Sequence, residues 1–105
     1  AVAGAFHTSL MQPAVARLRQ VLADIPLAES TFPVYSNVDA LQHRDPHEIR
    51  SLLAQQVVSP VLWEDSLKNL IAAGIDQFYE IGAGRVLAGT LKRIDRKMPC
   101  ECIGD

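Results

Sequence analysis

Asp76-Gln77-Phe78-Tyr79-Glu80-Ile81 is followed by the turn Gly82-Ala83-Gly84 and by Arg85 to Ile94, and this stretch decides the fold. The first segment is typical of a short strand, the glycines of a tight turn, and the third segment of a helix. Met98 to Ile103 then predicts a last short strand. A strand that rejoins its sheet after a helix pairs in parallel with the earlier strand. The stretch therefore predicts an α/β layer with parallel pairing.

The first part of the chain alternates helix and strand in the same way. Apolar residues recur at helical spacing from Thr8 to Ile25, with Thr8 or Ser9 able to cap this helix and Pro13 in its first turns. The β-branched and aromatic residues of Pro33 to Val38 predict a strand, and Asp39 to Arg44 predicts a loop.

Two further helix starts carry a polar cap followed by proline. Asp45-Pro46-His47-Glu48 has an acidic cap, proline at the first helical position and a glutamate that can complete a capping box. Ser59-Pro60 repeats the signature and predicts a helix that stops at Gly74. The resulting order is helix, strand, helix, helix, strand, helix, strand, which favours an α/β fold over a helical bundle.

The composition excludes several classes of function. The chain has 105 residues, 49% of them apolar and 21% charged, which is enough for one small domain with a core. The net charge of -2, with both signs scattered, gives no basic stripe, so we expect no nucleic-acid partner. No apolar run is long enough for a bilayer, so we expect no membrane partner. The chain starts at Ala1 without a methionine, and we expect it to be a piece of a longer protein.

The sulfur and imidazole groups are poorly placed for a metal. Cys100 and Cys102 would share one face of a strand at a separation that strains a disulfide, and no histidine lies nearby in sequence. We expect buried, reduced thiols. His43 and His47 are four residues apart, but Pro46 lies between them at the helix start. We therefore expect both histidines to be solvated and to bind no metal.

Gly82-Ala83-Gly84 admits two interpretations, because a glycine turn before a helix can also bind an anion. A dinucleotide-binding motif needs a third glycine at position 87, and Gly89 lies two positions too late. No lysine followed by serine or threonine completes a phosphate-binding loop. We expect a plain strand-to-helix turn. No Gly-x-Ser-x-Gly elbow occurs in the sequence, so the nucleophilic serine of that motif is absent from it.

His7 is the residue best placed for chemistry. It lies between the small residues Gly4 and Ala5 and the start of an amphipathic helix, where an imidazole can take and give a proton near neutral pH. From the spacing alone, a capping or surface role is the more common explanation of a lone histidine near a chain start.

Four blocks of sequence carry a resemblance to a known family. They are Gly4-Ala5-Phe6-His7-Thr8-x-Leu10-Met11-x-Pro13-Ala14, Pro33-Val34-x-Ser36-Asn37-Val38, Gln56-Val57-x-Ser59-Pro60-Val61-x-Trp63 and Glu80-Ile81-Gly82-Ala83-Gly84-Arg85-Val86-Leu87. In this order and spacing they resemble the malonyl-CoA:acyl carrier protein transacylases and, more distantly, the acyltransferase domains of polyketide and animal fatty acid synthases. The resemblance implies that residues 1–105 are the C-terminal segment of an acyltransferase domain, a fragment of its large α/β-hydrolase-like subdomain.

The resemblance also implies a function in fatty acid biosynthesis. A serine would take malonyl from coenzyme A and pass it to the phosphopantetheine thiol of acyl carrier protein, so malonyl-CoA is the expected substrate, acyl carrier protein the expected partner, and no metal or bound cofactor is needed. His7 matches the catalytic histidine, and Gln56 matches the residue whose backbone carbonyl orients it. Asn37 falls in a block near the site as structural support. Phe6 matches a position associated with malonyl selectivity, although an apolar packing role fits it equally well.

The family's nucleophile elbow, the arginine for the malonyl carboxylate, the oxyanion-hole donors and the small ferredoxin-like subdomain have no counterpart in this sequence. We therefore expect the isolated chain to be inactive. Two alternatives stay open: a non-catalytic module that binds a carrier protein, and a structural α/β piece with exposed apolar surface that self-associates. The expected compartment is the cytoplasm, or an organelle if a targeting segment precedes Ala1.

Overall fold

The computed structural model describes residues 6–104, so Gly4 and Ala5 of the first sequence block lie outside the described residues. Its contacts divide the chain into two compact units, Ala1–Ser66 and Leu67–Asp105. The first unit holds helices α1 (Gln12–Ala23) and α2 (Pro46–Gln55) and strands β1 (Val34–Tyr35) and β2 (Gln42–His43). Helix α3 (Trp63–Ala72) crosses the boundary, and the second unit holds β3 (Phe78–Ile81), α4 (Val86–Ile94) and β4 (Cys100–Ile103).

Helix α1 follows a capped 3-10 turn and ends beside an arginine of α2. A 3-10 turn at Ser9–Met11 precedes it, and the Thr8 hydroxyl accepts a hydrogen bond from the Leu10 amide at 3.4 Å. At the other end, the Arg50 guanidinium of α2 donates to the carbonyls of Leu22 and Ile25, both at 2.9 Å. These two bonds tie the end of α1 to α2, and the Leu22 carbonyl also accepts from the Ile25 amide at 3.2 Å.

The core of the first unit lies where α1 packs against α2. Buried residues from both helices meet there, and partly buried apolar side chains surround them. The members are Val15, Leu18, Leu22, Ala54, Val57 and Val58. This packing sets the first helix beside the end of the second, which determines where His7 lies.

Helix α2 begins as the sequence predicts, except at its glutamate. Asp45 Oδ1 accepts from the His47 amide at 2.9 Å, and Pro46 occupies the first helical position. The predicted capping box is wrong in its second half, because the Glu48 carboxylate bonds to His43 instead. The ion pair with an imidazole outcompetes a bond to a solvent-exposed backbone amide.

Two other predictions for this unit are wrong. The segment Asp39 to Arg44 is not all loop, because β2 pairs antiparallel with β1 in the register Val34 to His43. The predicted strand over Pro33 to Val38 is correspondingly short. Ser59-Pro60 does not begin a helix: Ser59 closes a 3-10 turn at Gln56–Val58 that extends α2, and α3 begins only at Trp63.

In the second unit, β3 and β4 pair in parallel in the register Phe78 to Cys100 and Ile81 to Ile103. Helix α4 connects them and contacts β4. The α/β fold with parallel pairing is therefore confirmed. At the strand ends the backbone of Gly104 passes so close to Gly82 that a Cβ on Gly104 would clash with the Gly82 carbonyl oxygen.

One face of the β3–β4 pair is open and apolar. Cys100 and Cys102 share the half-buried face of β4, as the strand period requires. On the opposite face Tyr79, Ile81 and Ile103 are exposed, and Ile81 keeps 81% of its surface accessible. Within the described residues, no helix combines the length and apolar character needed to cross a bilayer.

Candidate active site around His7

The backbone of His7 is held in an unusual conformation. Its φ of 65° lies in the left-handed region, which costs a non-glycine residue about 1 kcal/mol or more. The His7 amide donates to the Val57 carbonyl at 2.8 Å, which ties the loop to the 3-10 turn after α2. Backbone strain at a position that a neighbouring element holds in place is typical of functional sites.

The imidazole is fixed by the neighbouring carbonyl of the same turn. His7 Nδ1–H donates to the Gln56 carbonyl oxygen at 2.7 Å. A carbonyl can only accept, so Nδ1 must carry the proton, and in the neutral ring Nε2 holds the lone pair. Nε2 has no hydrogen-bond partner among residues 6–104, and the side chain is exposed. The geometry therefore presents a proton acceptor to the outside of this chain.

Consecutive carbonyls of one short turn hold both the backbone and the ring of His7. The turn is the 3-10 segment Gln56–Val58, and its end is fixed by Ser59, whose hydroxyl donates to the Gln55 carbonyl at 2.8 Å. The Gln56 side chain takes no part in the contact with His7, because the accepting atom is the backbone oxygen.

Asn37 lies in the turn after β1. Its backbone carbonyl accepts from the Leu62 amide at 2.9 Å, which ties the turn to the segment before α3. Asn37 and Gln56 both line a cavity of about 80 Å³ between the β1–β2 pair and α2. The described contact of Asn37 is thus made by its backbone.

Phe6 directly precedes His7 and is half exposed, at 51% of its surface. The structure thus leaves its ring accessible beside the imidazole. Among residues 6–104, no group of three or more histidine, cysteine or acidic side chains is arranged to hold a metal ion.

No protein-family model matches the chain. The malonyl-CoA–acyl carrier protein transacylase of Bacillus subtilis is 38% identical over 104 residues, covering 99% of this chain and 33% of the relative. The mitochondrial transacylase of Homo sapiens is 45% identical over 95 residues, covering 87% of this chain and 24% of the relative. Over nearly its whole length, the chain is homologous to the malonyl-CoA:acyl carrier protein transacylases.

Solved structures of the same kind of enzyme also match the chain. The acyl-carrier-protein S-malonyltransferase of Bartonella henselae matches with a TM-score of 0.94 at 34% identity, over 99% of this chain and 33% of that one. A malonyl-transacylase in complex with its type II polyketide synthase acyl carrier protein matches with a TM-score of 0.93 at 36% identity, over 100% of this chain and 34% of that one. The resemblance stated from the sequence is confirmed. The chain spans about a third of the length of these relatives.

The chain contains a second histidine with close polar partners, which sequence reasoning missed. His43 was expected to be solvated, but its side chain is only 12% exposed, with Nε2 bonded to Asp39 and Nδ1 to Glu48, both at 2.8 Å. Burial would lower the pKa of His43, but the hydrogen bonds and charges of Glu48 and Asp39 outweigh it and raise the pKa above its ordinary value. The protonated ring therefore links β2 to the preceding turn and to α2.

The turn Gly82-Ala83-Gly84 leads into helix α4, and a residue of β3 caps the first turn of that helix. Glu80 on β3 accepts from the Leu87 amide at 3.0 Å and from the Ala88 amide at 2.8 Å. An internal carboxylate therefore occupies amides that an external anion would need, in agreement with the plain-turn interpretation of Gly82-Ala83-Gly84.

The same Glu80 carboxylate lies 3.8 Å from the Cys102 thiol. Burial raises the pKa of Cys102, and the neighbouring Cys100 and the negative charge of Glu80 raise it further. A raised thiol pKa lowers the thiolate fraction at neutral pH, so Cys102 is a poor nucleophile. Both thiols are free and share one face of β4, as predicted, but they are half-buried and not buried.

Proposed function

We propose that this chain supplies the general base of a malonyl transfer from coenzyme A to the phosphopantetheine thiol of acyl carrier protein. The observation that carries the proposal is the bond from His7 Nδ1–H to the Gln56 carbonyl, which leaves Nε2 as the proton acceptor. The nucleophilic serine would come from protein outside these residues, since no nucleophile elbow occurs in the sequence.

Each half of the reaction would use Nε2 once as a base and once as an acid. In the first half, Nε2 takes the serine hydroxyl proton as the oxygen attacks the malonyl thioester, and returns it to the sulfur of coenzyme A as the carbon–sulfur bond breaks. In the second half, Nε2 takes the proton of the carrier-protein thiol as the sulfur attacks the seryl ester. The proton then returns to the serine oxygen as the ester bond breaks.

The Gln56 carbonyl would act on the ring in two ways. It fixes the tautomer and the ring plane, and its partial negative charge stabilises the imidazolium that forms when Nε2 takes a proton. A backbone carbonyl serves here in the position that a buried carboxylate occupies in the serine, histidine and aspartate arrangement. Because the accepting atom belongs to the backbone, the Gln56 side chain would be dispensable.

The names of the relatives support the substrate and the partner. The curated relatives are malonyl-CoA–acyl carrier protein transacylases, and one matching structure holds a transacylase with its acyl carrier protein. We propose malonyl-CoA and an acyl carrier protein for this chain on that ground. The proposed compartment is the cytoplasm, with an organelle as the alternative because one relative is mitochondrial.

The test replaces His7 by asparagine in the gene product that contains this chain. Asparagine tolerates the left-handed backbone and can still donate to the Gln56 carbonyl, but it has no basic nitrogen. We expect His7→Asn to lower kcat for malonyl transfer by about 10²–10⁴-fold, the usual contribution of a general base, with little change in KM. His47→Asn, at an exposed histidine of α2, is the matched control and should transfer at the wild-type rate.

Retention of activity by His7→Asn within a few fold of the wild type would refute the proposal. The role of protein outside this chain is tested separately with the isolated 105 residues. We expect them to show no turnover above background, because they lack the elbow serine, and turnover would contradict that part of the proposal.

Phe6 is proposed to contribute to selectivity for malonyl over an α-methyl-branched acyl group. Shape discrimination against one methyl group is worth about 1–3 kcal/mol, so Phe6→Ala should raise the relative kcat/KM for methylmalonyl-CoA about tenfold or more. Phe32→Ala, at an exposed ring in the loop before β1, is the control. Equal selectivity in the two variants would assign Phe6 a packing role instead.

A further inference from the structure

The Gln56 carbonyl can accept from His7 only if no helical amide takes it first. In a continuing α-helix this carbonyl would accept from the amide of residue 60. Residue 60 is Pro60, which has no N–H, so that competitor does not exist. The nearest helical-type donor is the Ser59 amide, and its distance to the Gln56 oxygen is long, at 3.4 Å, against 2.7 Å for His7 Nδ1.

Ser59 replaces one helical bond with a side-chain bond. In an α-helix the Gln55 carbonyl would accept from the Ser59 amide, but here it accepts from the Ser59 hydroxyl at 2.8 Å. The Ser59 amide is thereby released toward Gln56, which gives the tighter 3-10 turn at Gln56–Val58. Ser59 is half-buried, so a Gln55 carbonyl without this donor would be costly to leave unpaired.

We propose that Ser59 and Pro60 are positioning residues that reserve the Gln56 carbonyl for the Nδ1–H of His7. Pro60 removes the competing donor, and Ser59 holds the turn in the geometry that directs the carbonyl to the ring. The catalytic part of this inference rests on the proposed function, while the positioning part concerns only the ring and its acceptor.

The positioning part is tested on the ring itself, with ¹⁵N-labelled histidine in the gene product that contains this chain. Two-bond ¹H–¹⁵N correlations distinguish the Nδ1–H from the Nε2–H tautomer of His7. We expect Ser59→Ala and Pro60→Ala each to shift the tautomer ratio toward Nε2–H by about five- to tenfold, the weight of one hydrogen bond. Ser59→Thr keeps a hydroxyl and should restore the wild-type ratio.

Two matched controls separate positioning from general loss of structure. Ser66→Ala removes another serine hydroxyl that donates four residues back, to the Leu62 carbonyl at 3.0 Å. Pro46→Ala adds an amide at the first position of α2, where helix geometry leaves it without a helical acceptor. Both controls should leave the His7 tautomer unchanged, and unchanged ring signals of His43 in each variant show that the unit remains folded.

An unchanged His7 tautomer in both Ser59→Ala and Pro60→Ala, with His43 signals intact, overturns the positioning inference. So does an equal shift in the two controls. Malonyl transfer supplies the second readout: kcat should fall about tenfold in Ser59→Ala and Pro60→Ala with KM unchanged, and Ser59→Thr should recover it. If the wild type itself transfers no malonyl, the proposed function fails, and the tautomer measurement still decides the positioning inference.

Discussion

Glu80→Gln should release the first turn of α4 without disturbing the parallel strand pair. The carboxylate accepts one amide with each oxygen, from Leu87 at 3.0 Å and from Ala88 at 2.8 Å. A glutamine retains one carbonyl oxygen and turns an amide group toward the other donor, so about one charge-assisted bond is lost. Such a bond contributes about 1.5–3 kcal/mol, and the negative charge at a helix N-terminus about 0.3–1 kcal/mol more.

We therefore expect the Leu87 and Ala88 amides to open more readily by about 2 kcal/mol, which is roughly a 30-fold loss of protection. The assay is native-state hydrogen exchange resolved at these two amides. Glu101→Gln is the control, because Glu101 lies beside Tyr79 in the strand register on the exposed face of β4. The reasoning is refuted if both amides exchange in Glu80→Gln as slowly as in Glu101→Gln.

Three further predictions follow from other contacts. Because the pKa of His43 is raised in the folded state, the protonated ring stabilises the fold fully below about pH 6.5, and this contribution is lost as the pH rises through the folded-state pKa. Urea unfolding at a series of pH values should show this loss of stability. The His43→Gln variant should show a flatter pH dependence. Gly104→Ala should lower the free energy of unfolding by about 3 kcal/mol, because its Cβ would meet the Gly82 carbonyl and its φ is 136°. Gly89→Ala, in open space within α4, should instead raise the free energy of unfolding by about 0.5–1 kcal/mol. Arg50→Met should cost about 1–3 kcal/mol by removing the hydrogen bonds of Arg50 to the Leu22 and Ile25 carbonyls at the end of α1. Amides near that end should lose exchange protection first.

Local signals in the sequence identified the elements whose determinants are local. The cap at Asp45 and the proline after it act within one turn, so the start of α2 was predictable. The alternation of Cys100 and Cys102 placed both on one face of β4 for the same reason. Ser59-Pro60 carries the same local pattern as a helix start, yet it ends a helix. The hydroxyl of a serine before proline can accept from a later amide, as at a helix start, or donate to a carbonyl four residues earlier, as at a helix end. The Ser59 hydroxyl donates to the Gln55 carbonyl.

Determinants that are distant in sequence could not be predicted in this way. Glu80 caps amides seven and eight residues further on, across a glycine turn, and no local rule links them. Contacts between different elements are hard to predict even at short separation: His43 lies four residues from Asp39 and five from Glu48, but the three residues belong to a strand, a turn and a helix, so no single periodicity relates them. The contact of His7 with Gln56 spans 49 residues, and the resemblance to a known family, not the spacing, pointed to it.

The open face of the β3–β4 pair has a practical consequence for handling the isolated chain. Tyr79, Ile81 and Ile103 form an apolar patch on a two-stranded parallel sheet, and sheets of this kind are usually covered on both faces. Dilute samples should therefore bind an environment-sensitive dye such as ANS. In concentrated samples the dye signal per molecule should fall, because copies of the chain cover one another's patches. The Ile81→Asp variant should show neither the dye binding nor its dependence on concentration.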